Sequence, residues 1–280
     1  MEQTLWRLKG RSFDLSVAPL VMGVLNLTPD SFSDGSSYNS VDIAVAAAMK
    51  MVEDGADIID VGGESTRPGA DTVSAREELA RVLPVIEALA TKVSVPISID
   101  TWKSEVAAVA LNAGVEIVND ISAMTFDAKM LQVVAEFEAA VILMHSRGKP
   151  SDMQKYTAYS DIVSEVRQFL GDRIEAAVTA GIDKDKIVVD PGIGFGKSVS
   201  GNLEIIRRLG EFKSLGRPVL VGTSRKSFIG AMLNRDVSGR VFGTAATVAV
   251  SMMNGASIFR VHDVRAMRDT VDMVRAIMKS

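Results

Sequence analysis

The sequence contains no cysteine, only two histidines, and few aromatic residues, which make up 5% of its 280 positions. Without thiols the chain cannot form disulfide bonds, nor thiolate sites for zinc or iron–sulfur clusters. A metal would therefore be bound by oxygen atoms or by the two histidines, and a hard ion such as Mg2+ fits that restriction. The apolar residues are mostly Ala, Val, Ile, Leu and Met, which disfavours an all-β sandwich and favours parallel strands alternating with helices.

Long apolar runs and an excess of positive charge are also missing. No stretch reaches the roughly 18 apolar residues of a membrane span, and the opening segment MEQTLWRLKGRSFDL lacks the apolar core of a secretory signal. The net charge of −4 and the pI near 5.4 argue against a duplex nucleic acid partner, which would require a basic surface. We therefore expect a soluble, cytoplasmic protein that acts on small molecules.

Short runs rich in β-branched residues alternate along the chain with longer, Ala-rich segments. The intervening segments, such as residues 41–54 and 76–91, have apolar residues near a 3.6-residue period and predict amphipathic helices. Each predicted strand and helix occupies roughly 35 residues, close to the length of a βαβ unit. The strand candidates begin at Val21 (VMGVLN), Asp57 (DIIDVG), Pro96 (PISID), Val115 (VEIVND), Ala140 (AVILMH), Lys186 (KIVVDPG), Pro218 (PVLVGTS) and Ser257 (SIFRVH).

This repeat predicts an α/β protein with a (β/α)8 TIM barrel over residues 21–280, and an open doubly wound sheet is the alternative. The strands are apolar throughout, as expected when helices cover the outside and side chains fill the inside. Residues 1–20 differ, because polar and apolar residues alternate from Thr4 to Leu15 around Lys9 and Gly10. We predict a short N-terminal β-hairpin that plugs the bottom of the barrel, in a single domain of residues 1–280.

Polar residues stand at the end of every predicted strand. In a barrel the active site forms at the carboxyl ends of the strands, so these side chains are expected to converge. Any one of them could instead cap a helix or satisfy a loop, but their presence at every strand end favours a site. They are Asn26, Asp60, Asp100, Asn119 with Asp120, His145, Asp190, residues 224–226, and Arg260 with His262.

These residues divide into two chemical groups. Asp100, Asn119, Asp190 and Lys226 could bind a pterin, because carboxylates accept N–H bonds, an amide both donates and accepts, and lysine donates. Arg260 and His262 are two positions apart on the last strand and point the same way, at the usual phosphate site of such barrels. We predict an anion there. His145 has no such partner and is interpreted as structural or peripheral to the substrate.

Three loops are rich in turn formers. NLTPDSFSDGSSYNS and GGESTRPGADTVS, after the first two strands, could close over a substrate, although solvated linkers have similar composition. PGIGFGKS from Pro191 resembles a phosphate-binding P-loop, but Pro191 stands where that loop requires glycine. Its glycines are expected to let the backbone approach a planar ligand, with Phe195 as an apolar wall.

In order and spacing, LNLTPDSFSDG, DVGGESTRPG, Asp100-Thr101, NDI, DPGIGFGK, SRKSF and RVHDV resemble the dihydropteroate synthases, a family of pterin-binding TIM barrels. The resemblance extends from Val21 to Val264. It implies a transferase of folate biosynthesis that condenses 4-aminobenzoate with 6-hydroxymethyl-7,8-dihydropterin diphosphate, with Mg2+ as cofactor and sulfonamides as inhibitors. It also implies a homodimer that uses the small-residue helix around Gly243.

The resemblance further implies roles for individual residues. Asp100, Asn119, Asp190 and Lys226 would bind the pterin. Asn26 would coordinate Mg2+, and the diphosphate would be bound by Asn26, Thr66, Arg67, Arg260 and His262. The 4-aminobenzoate would be surrounded by Phe32, Arg67, Pro68, Phe195, Lys226 and Ser227. Asp100, Lys226, Arg260 and His262 would be catalytic in an SN1-like reaction, in which two cationic side chains, Arg260 and His262, stabilise the departing pyrophosphate.

Two other functions are considered. A pterin-dependent methyltransferase barrel would use a similar pterin site but would not need SRKSF together with RVHD. A non-catalytic pterin-binding protein would have lost its anion site, whereas Asn26, Arg260 and His262 are all present. Trp102 departs from the family pattern, in which a smaller or polar residue is expected, and we predict that it affects packing rather than chemistry.

Overall fold

The computed structural model describes residues 5–28 and 37–280, with only the backbone for residues 37–40. The described chain begins with an antiparallel hairpin of β1 (Leu5–Arg7) and β2 (Ser12–Asp14), which confirms the predicted hairpin. Trp6 is fully buried there and donates from Nε1 to the carbonyl oxygen of Lys186 at 3.1 Å. The hairpin is therefore anchored to the chain that leads into a barrel strand.

The following strands form one parallel sheet in which β10 lies between β3 and β9. A bridge between Val189 and Val219 joins β8 to β9 and closes the sheet. This closure confirms the TIM barrel and excludes the doubly wound alternative, because the first and last strands of an open sheet would not lie side by side. The strands are β3 (Leu20–Asn26), β4 (Ile58–Gly62), β5 (Ile97–Asp100), β6 (Ile117–Asp120), β7 (Ala140–Met144), β8 (Ile187–Asp190), β9 (Leu220–Val221) and β10 (Ile258–Val261).

Helices follow the strands and cover the outside of the barrel. Three of the described helices begin at side-chain caps: Ser74 accepts from the backbone N–H of Glu77, Asp161 accepts from those of Val163 and Ser164, and Ser198 accepts from that of Gly201. None of the helices in the described ranges is long and apolar enough to cross a lipid bilayer. The helices are α1 (Ser37–Glu53), α2 (Ala75–Ala90), α3 (Ser104–Asn112), α4 (Met130–Glu136), α5 (Ile162–Thr179), α6 (Val199–Arg207), α7 (Ser227–Leu233), α8 (Val241–Met253) and α9 (Val264–Lys279).

Successive residues of each strand pack into two separate apolar clusters. Residues such as Ile59 and Ile99 belong to the cluster that includes the helices, whereas Ile58 and Ile142 belong to an inner one. Trp6 of the hairpin packs in that inner cluster, together with Leu8 and Leu15. The hairpin therefore covers the lower end of the barrel interior.

The inner faces of the strands change character toward their carboxyl ends. Because side chains alternate between faces, the position two residues after an inner apolar residue also faces inward. Ile58 is thus followed by Asp60, and Ile258 by Arg260. The expectation that the strands are apolar throughout is correct only for the lower layer, and the upper layer of the interior is charged.

Candidate active site

Arg260 lies at the centre of a hydrogen-bonded network at the carboxyl ends of the strands. Its Nε donates to Oδ2 of Asp60 at 2.6 Å, and its Nη2 donates to Oδ2 of Asp100 at 2.6 Å. Asn119 Nδ2 donates to the same Oδ2 of Asp60 at 3.1 Å. Strands β4, β5, β6 and β10 therefore contribute one polar side chain each to this network.

The two carboxylates of the network retain unused acceptor atoms. Oδ1 of Asp60 and Oδ1 of Asp100 are buried and have no hydrogen-bond partner among the described residues. Burial raises the pKa of Asp100 to about 7, with Arg260 acting to lower it and Asp60 to raise it. An N–H donor from a ligand would satisfy the Asp100 oxygen and favour the ionised form.

Asp190 and Lys226 provide a second pair of ionisable groups at this end of the barrel. Asp190 accepts from the backbone N–H of Gly192 at 2.7 Å, and burial raises its pKa to about 6. Burial lowers the pKa of Lys226 to about 8, and the charge of Arg260 acts in the same direction. The Lys226 ammonium lies 4.1 Å from the ring centroid of Phe195, so the lysine and the predicted apolar wall adjoin each other.

The surroundings of His262 favour its neutral form, whereas the sequence predicts two cationic side chains at the anion site. Burial lowers its pKa to about 4, and the charges of Arg260 and Arg225 lower it further. Ser224 Oγ accepts from the His262 backbone N–H at 3.1 Å and lies 3.0 Å from Nδ1. The serine can therefore donate its own proton to Nδ1, which leaves Nε2–H as a donor for an anion.

Two of the three glycines in the loop after β8 lie against the chain after β7, whereas a Cβ at Gly194 would lie 3.2 Å from Cδ of Lys226. Gly192 has φ +69°, and a Cβ there would overlap the carbonyl oxygen of His145. Gly196 has φ +63°, and a Cβ there would lie 2.6 Å from the carbonyl oxygen of Arg147. These two glycines allow close approach to the chain after β7 rather than to a ligand. The P-loop is again excluded, because Lys197 is buried against His145 instead of being free to bind phosphate.

Asn26 ends β3 and lies close to Asp100 across Gly62. A Cβ at Gly62 would lie 3.7 Å from Oδ1 of Asn26 and 3.5 Å from Cβ of Asp100. Within residues 5–28 and 37–280, no group of three or more His, Cys, Asp or Glu side chains is arranged to hold a metal. An amide oxygen without such a cage fits Mg2+ that is bound mainly by substrate phosphates and water.

The loop after β4 is tied down at its base. Glu64 Oε1 accepts from the backbone N–H of Val73 at 3.0 Å, and Glu64 Oε2 forms an ion pair with Lys103 at 2.6 Å. Lys103 also pairs with the fully buried Glu78 at 2.5 Å. In the middle of the loop, the backbone N–H of Gly69 donates to the carbonyl oxygen of Pro150 at 2.9 Å. The loop is therefore fixed at its base and in contact with the loop after β7.

The structure brings some predicted residues together and leaves others apart. Arg260 donates to Asp100 and shares Asp60 as an acceptor with Asn119. The charge of Arg260 also lowers the pKa values of Asp190 and Lys226. Thr66 is half-buried, whereas Arg67, Pro68 and Ser227 are exposed. Phe32 lies outside the described residues, as does most of the predicted first lid.

Several residues that shape the site have no role predicted from the sequence. Asp60 was recognised as a strand-end residue, but its binding of both Asn119 and Arg260 depends on barrel closure. Glu64, Glu78 and Lys103 are not among the residues that the sequence predicts for the site, although Lys103 lies only three positions after Asp100. Trp102 packs edge-on against Phe126, with ring centroids 5.7 Å apart, and borders the apolar cluster that contains Phe195.

Comparison with known proteins places the chain in a family. A model of pterin binding enzymes matches residues 22–262. Dihydropteroate synthase of Synechocystis is 49% identical over 268 residues, which cover 95% of this chain and 93% of that protein. The structure of Xanthomonas albilineans dihydropteroate synthase with 4-aminobenzoic acid has a TM-score of 0.93 at 43% identity, covering 99% of each chain.

A second solved structure is equally similar. Yersinia pestis dihydropteroate synthase, in a complex with a sulfonamide drug, has a TM-score of 0.93 at 42% identity and covers 99% of this chain and 100% of its own. The matches extend over the barrel and include every strand that carries a residue of the Arg260 network. This chain therefore belongs to the dihydropteroate synthase family of pterin binding enzymes.

Proposed function

We propose that this chain is a dihydropteroate synthase, a transferase that joins 4-aminobenzoate to 6-hydroxymethyl-7,8-dihydropterin diphosphate in folate biosynthesis. The products are 7,8-dihydropteroate and pyrophosphate. The observation that carries this proposal is the Arg260 network, in which buried carboxylates with free acceptor atoms lie beside a cation at the carboxyl ends of the strands. The family relationship agrees with this function. We place the enzyme in the cytoplasm.

The pterin would bind to Asp100, Asn119, Asp190 and Lys226. The buried carboxylates accept N–H bonds from the aminopyrimidine edge, and the unpaired Oδ1 of Asp100 is the first such acceptor. Asn119 is held by Asp60 through one amide hydrogen, which leaves its carbonyl oxygen and its second N–H for the ring. Lys226 donates to a ring carbonyl or nitrogen.

The diphosphate would bind beside the pterin, where Arg260 and the Nε2–H of His262 face the same end of the barrel. Asn26 would hold Mg2+ together with phosphate oxygens, and Thr66 and Arg67 would contact the diphosphate from the loop after β4. When bound, Mg2+ would neutralise charge on the leaving pyrophosphate. The fixed base of the loop limits how far Thr66 and Arg67 can move.

The 4-aminobenzoate would lie against Phe195, with the Lys226 ammonium over that ring and Arg67, Pro68 and Ser227 around it. The exposure of Arg67, Pro68 and Ser227 agrees with an outer, more accessible subsite for this second substrate. Phe32 belongs to the same proposal but lies outside the described residues.

In the proposed reaction, the bond between the pterin methylene carbon and the diphosphate oxygen breaks, and its electron pair leaves with pyrophosphate. Arg260 stabilises the negative charge that develops on that oxygen, and His262 donates a hydrogen bond to it. The resulting methylene cation is conjugated with the pterin ring and is stabilised by the Asp100 carboxylate. The amine of 4-aminobenzoate then forms the new C–N bond and releases a proton to water.

Pterin affinity is expected to rise with pH between about 5 and 8. Asp190 and Asp100 accept N–H bonds more strongly, and with both oxygens, when ionised, and burial raises their pKa values to about 6 and about 7. Protons therefore compete with the pterin at low pH, and each carboxyl contributes up to about tenfold in affinity per pH unit below its pKa. Isothermal titration calorimetry with a pterin ligand across this range measures the effect. A flat affinity would contradict the assignment of both carboxylates.

The activity itself is tested by following pyrophosphate release and pteroate formation in parallel, with and without 4-aminobenzoate and Mg2+. We expect the two products in equal amounts and only with both additions present. Pterin binding without turnover would favour a non-catalytic pterin-binding protein. Methyl transfer to a corrinoid protein would instead identify the methyltransferase alternative.

We also propose a homodimer formed through the exposed apolar face of α8 and α9. Phe242 is 84% exposed, Met253 and Ile277 are each 66% exposed, and Met273 is 63% exposed. Exposed apolar side chains concentrated on adjacent helices are typical of an interface between subunits. α8 and α9 pack against each other, so these residues form one continuous surface.

Phe242→Asp is expected to convert the dimer to a monomer without lowering the melting temperature of the protomer by more than a few degrees, because the side chain is exposed in the protomer. Sedimentation equilibrium measures the mass. Val17→Asp is the matched control, since Val17 is 52% exposed and lies in the segment between β2 and β3, outside α8 and α9. A wild-type protein that is monomeric at micromolar concentration would refute the proposal.

A further inference from the structure

Lys197 is a buried lysine close to the site whose role the proposed function does not explain. Only 3% of its surface is exposed, and it forms no ion pair with any of the described carboxylates. Its ammonium group lies 2.9 Å from Nδ1 of His145 and donates to the carbonyl oxygens of Phe195 at 2.9 Å and His145 at 3.4 Å. A buried cation without a paired carboxylate is costly, so its retention needs an explanation.

The three contacts bear on the protonation of Lys197 and of His145. A charged lysine has three donors and no acceptor, and three acceptors surround this one. While Lys197 is charged, below its pKa of about 7, Nδ1 of His145 accepts from it, and the histidine is neutral with its proton on Nε2. Burial lowers the pKa of His145 to about 2, and the charge of Lys197 contributes. The contact between Lys197 and His145 thus joins the chain after β7 to the glycine-rich loop after β8. Phe195 belongs to that loop, and its carbonyl oxygen accepts from Lys197.

Lys197 also acts on Asp190 through its charge. Burial lowers the pKa of Lys197 to about 7, while Asp190 raises it and Lys226 and Arg147 lower it. In return Lys197 lowers the pKa of Asp190, together with the Gly192 backbone N–H, Lys226 and Arg260. Lys226 and Arg260 are positioned to bind the substrates, whereas Lys197 is fully occupied within the protein.

We propose that Lys197 is a positioning residue that holds the glycine-rich loop against the chain after β7 and so orders Phe195 and the neighbouring Asp190 for the pterin. It contacts neither substrate, and it acts through Phe195 and Asp190. This inference rests on the proposed function, because it assigns Lys197 a part in binding the pterin. It also explains why the glycines of the loop approach β7: they bring the Phe195 carbonyl within reach of the ammonium group.

The test compares Lys197→Met with Lys197→Arg in pterin binding from pH 5 to 8 by calorimetry. Loss of the charge raises the pKa of Asp190, so the rise in affinity should move to higher pH in Lys197→Met. A one-unit displacement corresponds to about fivefold weaker binding at pH 6, close to tenfold at pH 5 and almost no loss at pH 8. Lys197→Arg keeps the charge and should keep the wild-type pH profile. The Michaelis constant for 4-aminobenzoate should also rise in Lys197→Met, because Phe195 loses its anchor.

Controls separate this effect from general damage and from failure of the proposed function. Lys92→Met removes an exposed lysine on the opposite side of the barrel and should match the wild type. If Lys197→Met does not fold, Lys197→Gln keeps a donor for the Phe195 carbonyl without the charge and should show the same displacement. A wild-type pH profile in the neutral variants, or an equal loss at every pH, would overturn the inference. Absence of pteroate formation by the wild type would instead overturn the proposed function.

Discussion

Arg260→Ala is expected to lower kcat/KM for the pterin diphosphate by about three orders of magnitude, the upper range for loss of one donor to developing negative charge. The guanidinium is the cation of the proposed leaving-group site, because the pKa of His262 is lowered to about 4. Burial alone would lower the pKa of Arg260, but Asp60 and Asp100 raise it above its ordinary value. Its charge is therefore permanent. Steady-state pyrophosphate release measures the loss.

Arg260→Ala should also lower the unfolding free energy of the protein measured without substrates, and the size of this loss should depend on pH. Without Arg260 two buried carboxylates lose their counter-ion, which typically costs about 3–5 kcal/mol of unfolding free energy. The raised pKa of Asp100 means that the folded state binds its proton more tightly than the unfolded state. Stability from this group is greatest at low pH and declines as pH rises toward 7. Arg260→Ala should therefore lose more stability at pH 8 than at pH 5.

Arg265→Ala is the matched control for both measurements. Arg265 is on α9, with 70% of its side chain exposed, and its ion pair with Asp269 is exposed as well. Such pairs contribute little to stability, so the variant should retain wild-type turnover and unfolding free energy within about 1 kcal/mol. If Arg260→Ala turned over as fast as Arg265→Ala, Arg260 would not bind the diphosphate.

Lys103→Met is expected to lower the unfolding free energy by about 3–5 kcal/mol, the usual result of removing one partner from a buried ion pair. The lysine bridges Glu64 and Glu78, and Oε1 of Glu78 is already without a hydrogen-bond partner among the described residues. Burial raises the pKa of Glu78, and Lys103 acts against this rise. Urea denaturation at pH 8 and at pH 5 measures the effect, which should be smaller at pH 5 because Glu78 can then bind a proton.

The loop after β4 should respond to this change as well. Lys103 holds Glu64, and Glu64 joins the two ends of the loop that carries Thr66 and Arg67. We expect the Michaelis constants of both substrates to rise in Lys103→Met at temperatures where the variant is still folded. Adding Glu78→Gln should recover part of the stability, because it removes one of the uncompensated charges. Lys92→Met is the control, and equal stability of the two methionine variants would show that the ion pairs contribute nothing.

The positions of the strands and of most pterin-site residues were predictable from local patterns. The run VEIVND predicts β6 because β-branched residues are followed by a polar pair, and Asn119 lies at its end as expected. The alternation of Arg260 and His262 likewise predicted two side chains on one face. Such features depend on residues that are neighbours along the chain, so a short sequence pattern is enough to predict them.

Other features depended on which strands became neighbours. The pairing of Arg260 with Asp60 and Asp100 joins β10 to β4 and β5, and nothing in the local sequence around any one strand specifies it. The low pKa of His262 has the same origin, since burial and the charges of Arg260 and Arg225 together produce it. The contacts of Gly192 and Gly196 with the backbone at His145 and Arg147 are likewise not specified by the local sequence, because those residues follow another strand, β7.

The amino-acid sequence by itself determined the order of strands and helices, the N-terminal hairpin, the residues at the strand ends and the family, because these follow from periodicity and from short motifs. Only the tertiary structure decided that the sheet closes through β8 and β9, that Asp60 is the partner of both Asn119 and Arg260, and that Lys197 is buried against His145. The physical reason is distance: hydrogen bonds and desolvation act over a few ångströms, and closure of the barrel alone brings these residues that close.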